Sequence, residues 1–157
     1  MANFDPKTEY IISQGTIPIL DFHSYAEEFV VRPPYQRKSV WSRNKQQALL
    51  DSLFRRFYIP RLVIREVRLD DSKSVKEVID GQQRITTVQN FFDNKLALPK
   101  SLADISSGLP GSYYRDLDTD VRRFVDRLAF DVDYVKQIDE PQNPKHQEIA
   151  TEIFWRL

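Results

Sequence analysis

The chain has 157 residues, 41% hydrophobic and 29% charged, with a formal net charge of zero. That suits one globular domain with a real core and is too short for a two-domain architecture. No apolar run approaches the ~20 residues that span a bilayer, the absence of cysteine excludes disulfides and thiolate zinc sites, and residues 1–5 lack the basic and apolar regions of a signal peptide, so a cytoplasmic chain with no membrane partner is expected.

Residues 16–22 (Thr-Ile-Pro-Ile-Leu-Asp-Phe) alternate weakly and predict a short strand, with Pro18 favouring a sheet edge. Ser24 is placed to cap a short helix through Phe29. Pro33 and Pro34 then hold residues 31–35 extended or turned. Ser42 predicts the cap of a helix to about Phe57, with Leu49, Leu50, Leu53, Phe54 and Phe57 on one face. Pro60 opens a strand through Leu62, Ile64 and Val67. A polar turn at Asp70-Asp71-Ser72 leads to a second strand over residues 75–79, which makes the two a hairpin.

Where that strand stops, at Asp80-Gly81, a helical period starts at once with Ile85, Val88, Phe91 and Phe92. A strand, a tight turn and a helix N-terminus suit anion binding, because the first amides of a helix lack internal partners and face the positive end of its dipole. The chain has only four glycines, and one at this junction implies either a positive φ or the close approach of a ligand. Asp80 offers a metal-type carboxylate, Arg84 a phosphate fork, Gln82 and Gln83 planar amides, and Thr86 and Thr87 hydroxyls, all within two helical turns. The same residues also suit a plain structural turn, with Asp80 as helix cap and the glutamines solvated.

Beyond this helix, residues 99–112 form a loop rich in Ser, Pro and Gly. Thr119 opens a helix whose Val121, Phe124, Val125 and Leu128 share one face. Phe130, Val132, Tyr134 and Ile138 alternate as a strand, and a last helix aligning Ile149, Ile153 and Leu157 follows the break at residues 141–144. Charge is spread unevenly. Nine Lys and Arg stand against Asp51 alone over residues 32–65, and ten acids against six cations over residues 104–148. Such asymmetry permits a basic surface for phosphate or nucleic acid, and equally permits pairing between the two halves.

Asp80-Gly81-Gln82-Gln83-Arg84-Ile85-Thr86-Thr87 resembles the signature of the GmrS-type N-terminal domain family of modification-dependent restriction and phage-defence proteins. Pro34-Tyr35-Gln36-Arg37 with Trp41 is similar to that family's P-x-Y-Q-R-x-x-x-W segment, and Leu50-Asp51-Ser52-Leu53 with Ile59-Pro60 to its next helix and strand entry. Ile153-Phe154-Trp155-Arg156-Leu157 looks like the start of its F-x-R-L-N-x-G motif. The chain stops before the Asn and Gly of that motif, so a single domain over residues 1–157, truncated at its C-terminal end, is expected.

The resemblance implies an α/β fold of ParB/sulfiredoxin-like type, a small mixed sheet with flanking helices. It implies a nucleoside triphosphate, with Mg²⁺, at the Asp80–Arg84 turn. Under it Asp80, Gln82, Gln83 and Arg84 are the candidate catalytic residues, and Tyr35, Gln36, Arg37, Gly81, Thr86 and Thr87 the candidate nucleotide-binding ones. Asp80 is also the candidate metal ligand, since triphosphate chemistry needs a cation on developing charge and a group that positions the nucleophile. Expected partners are a nucleotide, modified DNA, and a nuclease domain or subunit.

Other chemistries find no pattern. His23 and His146 stand far apart without carboxylates at metal-triad spacing, no Ser–His–Asp arrangement is legible, and no G-x-x-x-x-G-K-[ST] segment exists. The patterns of an appended nuclease are absent as well, so cleavage of DNA by this chain alone is not expected. Trp41 is expected to pack rather than stack on a base. The alternative function is a non-catalytic DNA-sensing or protein-interaction module in which the turn is structural.

Overall fold

The computed structural model describes residues 10–31, 40–70 and 73–137. They build an α/β domain around one five-stranded mixed sheet. In chain order the main elements are β1 (Tyr10–Pro18), α1 (Asp21–Ser24), β2 (Phe29–Val30), α2 (Arg43–Arg55), β3 (Leu62–Asp70), β4 (Lys73–Asp80), α3 (Gln82–Phe92), α4 (Thr119–Asp126) and β5 (Ala129–Gln137). Short 3-10 turns occupy Ala26–Glu28, Lys100–Asp104 and Tyr114–Asp116.

The sheet order is β1-β5-β3-β4-β2. β1 runs antiparallel to β5, β5 parallel to β3, β3 antiparallel to β4, and β4 parallel to β2. The predicted β3–β4 hairpin is present, with its turn at residues 71–72 outside the described residues. One face of the sheet, carrying Leu62, Ile64, Val78, Phe130 and Val132, meets the apolar faces of α2 and α3 in the main core. The other face is buried too, through Val63, Arg65, Glu77, Ile79 and Val135.

Local chemistry explains most boundaries. Ser42 caps α2 by accepting the Lys45 N–H over 3.2 Å, as its side-chain type predicts. α2 ends where Arg56 turns left-handed, with the Arg56 N–H bonded to Leu53 O and the Phe57 N–H to Ser52 O, the double bond of a Schellman motif. Phe57 therefore falls outside the helix and stays exposed, while Leu49, Leu50, Leu53 and Phe54 are buried as expected.

Two expectations near the start are corrected. The strand predicted over residues 16–22 is β1, which begins at Tyr10 and ends at Pro18, because nine residues pair with β5 whatever their polarity. Phe22 instead lies in α1. Ser24 ends that helix rather than capping another, since Phe22 and Phe29 pack ring to ring at 4.6 Å and the chain reaches β2 through a single 3-10 turn. Pro18 does sit on an edge strand. Ile138 and the helix expected at the end of the chain lie outside the described residues.

Candidate functional site

Because β4 and β2 are parallel neighbours, their carboxyl ends leave the sheet along one edge. The Asp80-Gly81 turn follows β4 and Val31 follows β2, so the chain leaves both strands at the same end of the sheet. The start of β3 and the start of β5 lie along it as well. Ligands of open α/β sheets sit at such edges, beyond strand carboxyl ends.

The turn is built from the register inward. Val63 pairs with Asp80 but Ile64 with Val78, so Ile79 is an extra residue in β4, a bulge directly before the turn. The buried Gln82 side chain folds back and its Nε2 donates to Val78 O and Ile79 O, both at 3.1 Å, satisfying carbonyls at the irregularity. Gly81, at φ +106°, is the helix cap. A Cβ there would stand 2.2 Å from Leu62 Cδ2, so glycine is required both by conformation and by space. The cap position predicted for Asp80 is thus corrected: the left-handed turn falls on Gly81 and leaves Asp80 as the last residue of the strand.

Arg84 lies one helical turn on and is buried. Its Nη2 donates to Asp80 Oδ2 at 3.2 Å, and its Nη1 donates to Pro60 O at the entrance to β3. One guanidinium therefore ties the turn, the helix and the neighbouring strand together. Burial pushes the Arg84 pKa below its ordinary value, opposed by the charge of Asp80 and then by Tyr58. Thr87 is buried and its hydroxyl donates to Gln83 O at 2.7 Å, while Thr86 is half-buried.

Gln83 faces the other motif segment. Its Oε1 accepts the main-chain N–H of Trp41 at 2.9 Å. Trp41 packs half-buried against the core, as expected, with Lys45 Nζ 4.9 Å from its ring centroid. The structure thereby joins the end of the Pro34-to-Trp41 segment to the turn. Tyr35, Gln36 and Arg37 lie outside the described residues.

What remains for an anion is the first turn of α3. The amides of Gln82, Gln83 and Arg84 have no carbonyl behind them within the helix, whose first internal bond runs from Ile85 N to Gly81 O at 3.1 Å. The Asp80 carboxylate is 39% exposed beside them. Among the described residues no group of three His, Cys, Asp or Glu side chains could hold a metal alone. A single carboxylate still fits Mg²⁺ delivered with a triphosphate, because that ion keeps waters and phosphate oxygens as most of its ligands.

Three cations of the basic stretch are paired with carboxylates, two of them with the acidic half. Arg55 forms a bidentate bridge to Asp104, at 2.8 and 2.9 Å, and a second bridge to Asp51 at 2.7 Å. Arg61 pairs with Asp133 at 3.0 Å, and the fully buried Arg65 with Glu77 at 2.6 Å. Sequence reasoning had no signal for Arg65, which looks like any outward residue of an alternating strand. His23 is exposed and lies 3.2 Å from Asp93, and His146 is outside the described residues.

Among the described residues no helix is long and apolar enough to cross a membrane. A sequence model of the family described as GmrSD restriction endonuclease, N-terminal domain, matches residues 19–156. No curated protein and no solved structure matches the chain significantly.

Proposed function

From the premise that the chain belongs to the GmrSD restriction endonuclease N-terminal domain family, we propose that it is the nucleoside-triphosphate-binding, and triphosphate-hydrolysing, module of a modification-dependent restriction or phage-defence system. In that role nucleotide binding gates a nuclease domain or subunit that acts on modified DNA. The observation that carries the reading is the left-handed Gly81, which opens α3 so that three unshared amides and the Asp80 carboxylate face the same sheet edge.

The residues divide the work. The amides of Gln82, Gln83 and Arg84 bind phosphate oxygens, and the buried Arg84 cation adds a fixed positive field beneath them. Asp80 holds the accompanying cation and orients water, and the Gln83 amide nitrogen, which takes no part in the Trp41 bond, reaches a phosphate or that water. Thr86 flanks the first turn, and Tyr35, Gln36 and Arg37 are assigned nucleotide binding on the family resemblance alone. A bound Mg²⁺ supplies charge neutralisation on the transferring phosphoryl group.

Thermal stabilisation tests this across ATP, GTP, CTP and UTP, with and without Mg²⁺. A ligand at about 100 times its Kd adds about 2.7 kcal/mol. One triphosphate should raise the midpoint, and Asp80→Asn should remove the Mg²⁺-dependent part of the rise. No shift with any triphosphate would overturn the reading.

A second reading, a non-catalytic module with a structural turn, is favoured by one observation: the Gln82, Arg84 and Thr87 side chains are buried and bonded to the protein itself. Phosphate release separates the two. Binding without turnover supports the second.

A further inference from the structure

The loop between α2 and β3 carries the two most conspicuous aromatic exposures near the motif edge. Tyr58 is 87% exposed and its neighbour Phe57 62%. They border a cleft of about 450 Å³ between the end of α2 and the start of β5, whose floor includes Leu53, Leu128 and Phe130. That volume falls within the range of about 300–1,000 Å³ usual for small-ligand sites. Arg56 and Arg127 line the same cleft, against Asp131 as its one carboxylate.

Arg56 supplies an independent observation. It occupies the left-handed position that ends α2, at φ +55°, where glycine is the unstrained choice. Strain kept at one residue is a pointer to function when the side chain has somewhere to act. Here the guanidinium lies 5.5 Å from the Phe124 ring centroid, and that ring packs on Phe54 at 5.5 Å, so the cation is held over an aromatic platform at the rim of the cleft.

We infer that this cleft binds one unpaired nucleotide of a single nucleic-acid strand, the base stacking on Tyr58 and Phe57 and the flanking phosphates bridging Arg56 and Arg127. An apolar floor with exposed rings suits a π-face, and planar guanidinium groups suit phosphate oxygens. A duplex does not meet this chemistry, because its bases are stacked away from the rings. The cleft shares no lining residue with the Asp80–Arg84 turn, although Tyr58 is near enough to Arg84 to act on its charge.

The test uses the full chain without any triphosphate and a fluorescent oligothymidylate of about ten nucleotides. Binding should weaken with salt at a log–log slope of about −1.4, the value for two phosphate contacts on a single strand. Arg56→Gly should weaken binding about tenfold and shallow that slope by about 0.7, while the melting midpoint holds or rises because glycine relaxes the turn. Tyr58→Ala, at a nearly solvent-surrounded position, should cost about tenfold with the slope unchanged. Absent binding, or binding that survives both substitutions, overturns the inference. So does equal competition by a duplex, which would mean phosphate recognition alone, or by free thymidine monophosphate, which would mean a small-molecule pocket. Since no triphosphate is present, each of these failures leaves the reading of the Asp80–Arg84 turn untouched.

Discussion

The main-chain N–H of Trp41 donates to Gln83 Oε1 across 2.9 Å, a bond between residues 42 positions apart that fastens one motif segment to the other. Gln83→Ala leaves that N–H half-buried without this acceptor and should cost about 1 kcal/mol. In a Trp155→Phe background, where Trp41 is the sole indole, its emission should shift to the red as the segment loosens. An unchanged spectrum and an unchanged urea midpoint together would show the bond to be idle.

Gly81→Ala should destabilise the fold by about 3 kcal/mol, because the new Cβ meets Leu62 Cδ2 and the φ of +106° disfavours any L side chain. Leu62→Ala removes the collision and leaves the dihedral cost. The double variant should therefore be more stable than the two single losses added together, a coupling that a denaturant cycle measures. Strict additivity would show that the collision contributes nothing.

The acid response should centre on Arg55. Its hydrogen bonds hold the Asp51 and Asp104 carboxyls below the usual carboxylate range, and the same contacts, Asp104 first, raise its own pKa. A depressed carboxyl binds fewer protons folded than unfolded, so its contribution is complete above the unfolded value of about 4 and is lost as pH falls through the folded one. Stability should drop below about pH 4, and Arg55→Gln should flatten that drop while lowering the plateau. Urea midpoints across the acid range decide it; parallel curves would refute the assignment.

Arg65 and Glu77 face each other in register across β3 and β4, with the Arg65 side chain fully buried. Glu77→Ala should destabilise the fold, since it removes a charged partner 2.6 Å from a fully buried guanidinium. Replacing both, as Arg65→Met with Glu77→Leu, should recover most of that loss, because desolvating the pair offsets much of its attraction. Equal destabilisation of single and double variants would mean that the sheet depends on the charges themselves.

Much of the site was legible because its determinants are local. The apolar run ending at Asp80, the glycine and the 3.6-residue period after it specify a strand, a turn and a helix, and β4, Gly81 and α3 appear at those positions. Ser42, with the leucines of α2, specified a capped helix for the same reason. What neighbours in sequence could not decide was which side chains of the turn are spent on the protein. Gln82 turns inward because a bulge, a product of pairing with β3, leaves carbonyls to satisfy. Arg84 is buried because Pro60 comes to lie against it, 24 residues away.

The sequence by itself determined the elements around the turn and the family, since periodicity, caps and glycine act within a few residues. Only the tertiary structure decided the strand order, the parallel placement of β2 beside β4 by which the chain leaves both strands at one end of the sheet, and the pairing of the basic stretch with the acidic half through Arg55–Asp104 and Arg61–Asp133. Those outcomes rest on contacts between distant residues, whose energies depend on burial and register that composition does not carry.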